Sequence, residues 1–203
     1  MIKKLTIPVD HGNRNMKTTH FLFTTGLSST DRKPAGREDF LQTDGKYYVL
    51  SGKRIPYQRD KTQDERFSIL TRFAIAKELE RTGQVTEEDV VQVSLPIGVP
   101  PKHYSELAER YREYFLGDGK MQDLVYNGKT YHTCIRDVAV YPQAYAAMMT
   151  EGEKIRQIPK AVGIDIGGFT SDFLLMRSGS PCLDYCDSME KGVITMYNDI
   201  ISS

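Results

Sequence analysis

Two β-prone apolar runs, Val162 to Ile166 and Phe173 to Met176, flank the polar segment Gly167-Gly168-Phe169-Thr170-Ser171-Asp172, and Asp165 sits where the first run ends. Such a pattern reads as a strand–turn–strand hairpin whose tip presents backbone N–H groups, two hydroxyls and two carboxylates. Gly167 and Gly168 permit positive φ and let a ligand approach the main chain closely. Thr170 and Ser171 add donors suited to phosphate oxygens. Asp165 is a hard oxygen ligand of the kind Mg²⁺ takes, usually through retained water. A glycine pair alone also serves turn geometry in many hairpins, so the weight falls on a repetition of the pattern.

That repetition lies near the N-terminus, where Leu5 to Val9 runs into Asp10-His11-Gly12-Asn13-Arg14-Asn15-Met16-Lys17, followed by Thr18 to Phe23. Both tips begin Asp-x-Gly; one closes on Lys17, the other on Asp172. Two hairpins of this kind facing each other can grip a polyphosphate from both sides. Amides in tight turns form anion-binding concavities, Lys17 adds a point charge, and two carboxylates can hold a bridging cation.

The bulk properties exclude several alternatives. The 203 residues suffice for one large domain or two small ones. Charged residues make up 27% of the chain with a formal net charge of zero, which gives no global electrostatic reason for nucleic-acid or membrane-surface binding. No apolar run approaches the ~18 residues of a membrane span. Met1-Ile2-Lys3-Lys4 is not followed by the apolar region of a signal peptide, so a cytoplasmic location is expected. Cys134, Cys182 and Cys186 fit a reducing compartment. Zinc binding would want paired ligands at tighter, repeated spacing, so these are read as core or surface thiols.

Taken in order, Leu5–Val9, Asn15–Thr19 and Phe21–Thr25 are expected to form a meander. Residues 28–66 are polar and rich in Gly and Pro, with one clear strand at Lys46–Leu50 after the Asp44-Gly45 turn signal. Lys53, Arg54, Arg59 and Lys61 there are offset by Asp60, Asp64 and Glu65 and read as a solvated loop face rather than a partner surface. Helical spacing follows from Gln63 to Thr82 with Gly83 at the C-cap. Asp89–Gly98 is a strand, and Tyr104, Leu107, Ala108, Tyr111 and Phe115 mark an amphipathic helix closed by Gly117. Asn127-Gly128 occupies type I′ positions between Asp123–Tyr126 and Thr130–Cys134. A further strand, Ile135–Tyr141, leads to Pro142, placed as the first residue of a helix to about Thr150, which puts Gln143 in the first turn. By position alone Gln143 is a surface residue. Cys182–Cys186 reads as a strand and Met189–Ile201 as a helix.

Asp10 to Lys17 resembles the first phosphate loop of the actin, Hsp70 and sugar-kinase superfamily, and Asp165 to Asp172 resembles its second. Val140-Tyr141-Pro142-Gln143-Ala144-Tyr145-Ala146-Ala147 is similar to the helix connecting the two. The asparagine-rich first loop with its terminal lysine, and the Pro-Gln start of that helix, look most like the ParM/StbA plasmid-segregation actins of bacteria and archaea. These motifs cover about thirty residues, spread in order along the chain.

The resemblance implies an α/β fold: an RNase H-like, actin-type ATPase core with mixed sheet. Residues 1–160 would form the first lobe, with a small α+β subdomain inserted at about 30–84, and residues 161–203 would open a truncated second lobe. It further implies Mg²⁺ with ATP or GTP, hydrolysis to the diphosphate and phosphate, self-association into cytoskeletal filaments, and a DNA-binding adaptor protein of a segregation system. Asp10 and Asp165 would hold Mg²⁺ through water. Gly12, Asn13, Asn15 and Lys17 would cradle phosphates from one side, and Gly167, Gly168, Phe169, Thr170 and Ser171 from the other. Gln143 would position the attacking water. His11 departs from the small or apolar residue often found after the first aspartate. The family's adenosine-binding loop and second connecting helix have no counterpart in these 203 residues, so weak nucleotide binding and little turnover are expected of this chain. A sugar kinase-like enzyme of the same superfamily and a non-catalytic actin-fold interaction module are the alternatives.

Overall fold

Alternation of buried and half-buried residues along Val90–Val99 marks the strand on which the first half of the chain is built, with Val91, Val93, Leu95, Ile97 and Val99 all turned into the core. A computed structural model describes residues 1–36 and 39–202. In chain order the strands leading to that element are β1 (Ile2–Thr6), β2 (Asp10–His11), β3 (Asn15–Lys17), β4 (Leu22–Thr24), β5 (Leu27–Thr30), β6 (Phe40–Thr43) and β7 (Lys46–Leu50). Helix α1 (Arg66–Thr82) precedes β8 (Val90–Val99). Next come α2 (Tyr104–Leu116), β9 (Gln122–Tyr126), β10 (Lys129–Pro142), α3 (Tyr145–Met149), α4 (Gly152–Gln157), β11 (Lys160–Ile166), β12 (Ser171–Arg177), β13 (Ser180–Pro181), β14 (Asp187–Met189) and α5 (Val193–Ser202). The result is an α/β fold with mixed sheets, as the sequence implies.

Two compact units divide the chain. The first comprises Met1–Ile97 and Tyr111–Ala139. It contains a seven-stranded sheet of order β1-β8-β10-β9-β6-β7-β5, in which β1 and β8 run parallel from Ile2↔Val90 to Thr6↔Ser94. Strands β5, β6 and β7, from the polar region after Leu27, join this sheet through β6–β9 pairing. Two-residue turns at Asp44-Gly45 and Asn127-Gly128 close its hairpins, with φ values of 52°, 76°, 51° and 86° as type I′ geometry requires. Helix α1 buries Phe67, Leu70, Phe73, Ala74 and Leu79 completely. Each large apolar side chain so buried contributes about 1.5–3 kcal/mol of transfer free energy. Gly83, left-handed at φ 60°, ends the helix.

The expected meander exists but starts later. It is β2-β3-β4, whereas Leu5 and Thr6 belong to β1 in the large sheet, and Ile7 and Val9 continue toward β8 by donating to Ser94 O and Pro96 O at 3.0 Å. Only beyond Val9 does the chain turn into the small sheet.

The second unit comprises Gly98–Arg110 and the residues from Val140 onward. Its sheet is the β11–β12 hairpin, paired from Lys160↔Arg177 to Ile166↔Ser171, with β13 and β14 along the far side of β12. Met148, Ile155, Leu174 and Met176 form its core beneath α3 and α4. Gly163 on β11 makes room for that packing: a Cβ there would fall 2.5 Å from Met148 Sδ and 3.4 Å from Ala144 Cβ. The opposite face of β11 exposes Val162, Ile164 and Ile166, and α5 buries none of its residues.

Two local expectations fail here. Pro142 does not open a helix: it ends the fourteen-residue β10, because Gln143 N–H still donates to Val99 O at 2.8 Å, and Ala144 at φ 68° turns the chain before α3 starts at Tyr145. Cys182–Cys186 is not a strand but a short 3₁₀ turn, held by Tyr185 N–H to Cys182 O and Cys186 N–H to Leu183 O, both at 3.1 Å. The Cys186 thiol donates to Cys182 O and its Sγ accepts from Leu175 N–H, so it acts as a structural thiol.

Candidate functional site

The first Asp-x-Gly tip is the turn between β2 and β3. Pairing places Asp10 opposite Lys17 and His11 opposite Met16. Strand alternation then sorts the four: His11 and Met16 are buried, while Asp10 and Lys17 form an exposed ion pair with Nζ 2.9 Å from Oδ2. At the tip, a Cβ on Gly12 would lie 2.5 Å from Asn15 O, so only glycine fits. Thr25, fully buried, fastens the tip from behind: its hydroxyl donates to Gly12 O at 2.6 Å and its N–H to Arg14 O at 3.1 Å. Asn13 Oδ1 accepts from Gln58 N–H at 3.0 Å. Asn15 is the first residue of β3, paired with Thr24. Gly12, Asn13, Asn15 and Lys17 therefore share one tip, with Asp10 at its base.

His11 is a core residue, not a rim residue. It stacks on Phe115 with ring centroids 4.4 Å apart, and its Nε2 lies 2.7 Å from Thr71 Oγ1. Burial, reinforced by the Lys61 ammonium, pushes its pKa well below the ordinary histidine value.

The second tip is the turn between β11 and β12, tied across by Gly167 N–H to Thr170 O at 2.8 Å. Asp165 and Asp172 are in register. Carboxylates directly opposite each other repel, an arrangement that a nearby cation or donor relieves. Asp165 is exposed; Asp172 is buried and accepts from the Thr170 hydroxyl at 3.3 Å. The Ser171 hydroxyl donates to Lys191 O at 2.6 Å. Both hydroxyls expected to meet phosphate are thus directed inward, and the tip's remaining donor character lies in its main chain.

A residue that sequence reasoning missed supports this tip. A Cβ at Gly192 would lie 2.6 Å from Gly167 O, Gly168 C and Phe169 N. The close approach lets Val193 and Ile194, the first amides of α5, donate to Gly167 O and Gly168 O at 3.0 and 2.9 Å. The glycine before an apolar helical run was the available signal.

Gln143 follows β10 in the same unit as the second tip. Its Oε1 is buried and has no hydrogen-bond partner among the described residues. Its neighbour Ala144 packs at Gly163, which shares a strand face with Asp165 two residues on. No group of three or more His, Cys, Asp or Glu side chains that could hold a metal occurs among the described residues. No helix among them is long and apolar enough to cross a membrane.

Mixed sheets, two hairpin tips of like construction and a strand-to-helix corner carrying a half-buried glutamine are the features of an actin-like fold. Residues 8–145 match the family described as "Actin like proteins N terminal domain", and the chain belongs to that family. Among solved structures it is similar to the apo psk41 ParM protein, with 14% identity and a TM-score of 0.74 over 98% of this chain and 71% of that one. It is likewise similar to Ta0583, an archaeal actin homolog (20% identity, TM-score 0.73, 97% and 64% covered), and to the filament of AlfA from B. subtilis plasmid pLS32 (16%, 0.69, 94% and 73%). The chain therefore spans roughly two thirds to three quarters of the length of these relatives. No curated protein sequence matches it.

Proposed function

We propose that this chain is the phosphate-gripping part of an actin-like ATPase whose filaments serve plasmid DNA segregation. The observation that carries the reading is the matched construction of its two tips. Each follows an aspartate, turns on a glycine, and is braced from behind by a neighbouring segment: Thr25 for the first, Lys191 to Ile194 for the second. A turn so braced presents main-chain donors with little reorganisation, which is what polyphosphate binding requires.

The residues fit Mg·ATP or Mg·GTP. Gly12 permits the tight turn that brings the first tip's main chain together, Lys17 supplies an exposed ammonium, and the Asp10 and Asp165 carboxylates are accessible and able to hold hydrated Mg²⁺ through water. Bound Mg²⁺ would supply charge neutralisation at the phosphate oxygens. Gln143 Oε1, a buried acceptor without a partner among the described residues, suits the role of orienting a water for attack. Asp10, on accepting Lys17 Nζ, keeps that cation at the tip. The partners of the reading are further copies of the same protein and a DNA-binding adaptor; the zero net charge favours an adaptor over direct DNA contact.

In the whole protein, Asp165→Ala is expected to abolish nucleotide hydrolysis nearly completely. Gln143→Ala is expected to slow it by about ten- to a thousandfold while leaving nucleotide affinity within a factor of about three. Phosphate release unchanged in both variants would overturn the proposal, and release that depends on an added sugar would make the protein a kinase.

A further inference from the structure

Residues 51–65, between β7 and α1, contain no strand or helix and are only in part the solvated face that their charge pattern suggests: Lys53 and Arg59 are exposed, but other residues of the segment turn inward. Ile55, Gln58 and Lys61 are buried at 6%, 9% and 3% exposure. Gln58 is the residue through which this segment reaches the first tip. Its backbone N–H donates to Asn13 Oδ1 at 3.0 Å, and its side-chain Nε2 donates to Asp64 Oδ2 at 2.9 Å. Asp64 is in turn clamped by Arg66 at the start of α1. The Arg66 Nη2 lies 2.6 Å from Oδ2, while its Nε and its backbone N–H each reach Oδ1 at 2.9 Å. The Tyr114 hydroxyl donates to Asp64 O at 2.6 Å and ties the same point to α2.

An asparagine amide has an accepting end and a donating end, and which way it points is set by its neighbours. With Oδ1 engaged by the Gln58 N–H, the two Nδ2 protons of Asn13 must face away from Gln58. The flipped amide would set donor against donor. Asp64 makes the same choice for Gln58, drawing in its Nε2 and leaving Oε1 buried without a partner among the described residues. An orphaned buried acceptor is a cost that a residue serving packing alone avoids.

We propose that Gln58 is a positioning residue for the first tip: anchored to α1 through Asp64 and Arg66, it holds Asn13 with its amide nitrogen, not its oxygen, available to an anion. The proposal rests on the reading that this tip binds phosphate.

The test uses the 203-residue chain, titrated with Mg·ATP and separately with Mg·pyrophosphate, with the Asn13 side-chain amide followed by nitrogen–proton NMR. In the unmodified chain the Asn13 amide signals are expected to shift on titration. Asn13→Asp keeps the acceptor for Gln58 but replaces the donor with a carboxylate. It is expected to leave the unfolding midpoint unchanged and to weaken binding at least tenfold. Gln58→Ala is expected to weaken binding about three- to tenfold and to move the Asn13 amide signals before any ligand is added. Lys17→Ala serves as the control for the tip itself. If Lys17→Ala weakens binding while Asn13→Asp and Gln58→Ala bind normally, the positioning role is overturned and phosphate binding at the tip stands. If no shift appears at this tip in the unmodified chain, both are overturned.

Discussion

The Nε2 of His11 lies 2.7 Å from the hydroxyl of Thr71, and that hydroxyl has already given its proton to Phe67 O at 2.7 Å. A neutral histidine thereby fastens the base of the first tip to the middle of α1. Its folded-state pKa lies below the unfolded value of about 6.5, so the unfolded chain binds the proton first. Stability from this group is present above that value and is lost as pH falls. Between about pH 6.5 and 5 the unfolding free energy is expected to drop by up to about 1.4 kcal/mol per pH unit. Urea unfolding of the parent chain and of His11→Gln across these pH values checks it; equal slopes would contradict it.

Glu78 on α1 holds the turn between β3 and β4. Its Oε1 accepts from the Thr18 hydroxyl at 2.5 Å and from His20 N–H at 3.0 Å, and its Oε2 meets His20 Nδ1 at 2.7 Å. These bonds, against the opposing effect of burial, hold its carboxyl below the usual range. Glu78→Ala strands three donors and is expected to cost about 2–4 kcal/mol. Loss of hydrogen-exchange protection at the His20 amide should accompany it.

The Gly192 contact makes a sharper claim. Alanine there must push Gly167 to Phe169 aside, since the atoms it meets are backbone. Gly192→Ala is expected to destabilise the second unit by about 1–3 kcal/mol and to displace the amide resonances of Gly167 and Gly168. Unmoved resonances at those two glycines would show that the helix start does not brace the tip.

Leu174 and Ile200 are both apolar, but Leu174 is fully buried and Ile200 is 65% exposed. Leu174→Ala is expected to cost about 2–5 kcal/mol and Ile200→Ala less than about 0.5. Chemical denaturation of the two variants side by side decides this; comparable losses would mean that α5 is packed in solution.

The hairpin tips were legible because glycine, hydroxyl and carboxylate residues between β-prone runs leave few other conformations. Asn127-Gly128 and Gly83 were legible for the same local reason. What failed depended on distant partners. Pro142 looks like a helix start until Val99 offers its carbonyl to the next amide, which keeps the chain extended for one residue more. Cys182–Cys186 has the composition of a strand, but the Cys186 sulfur is used to accept from Leu175. Lys61 reads as loop surface because charge pattern carries no information about burial. The inward turn of the Ser171 and Thr170 hydroxyls was likewise invisible, since Lys191 lies twenty residues away from Ser171.

The proposed function requires that both tips serve one magnesium nucleotide. Backbone amide NMR of the 203-residue chain during titration with Mg·ATP tests it most directly. The expected result is that Gly12 and Asn13 shift together with Gly167 and Gly168, that all four fit one dissociation constant, and that chelation of Mg²⁺ weakens binding at both tips alike. Shifts confined to one tip, or two tips with separate dissociation constants, would contradict it.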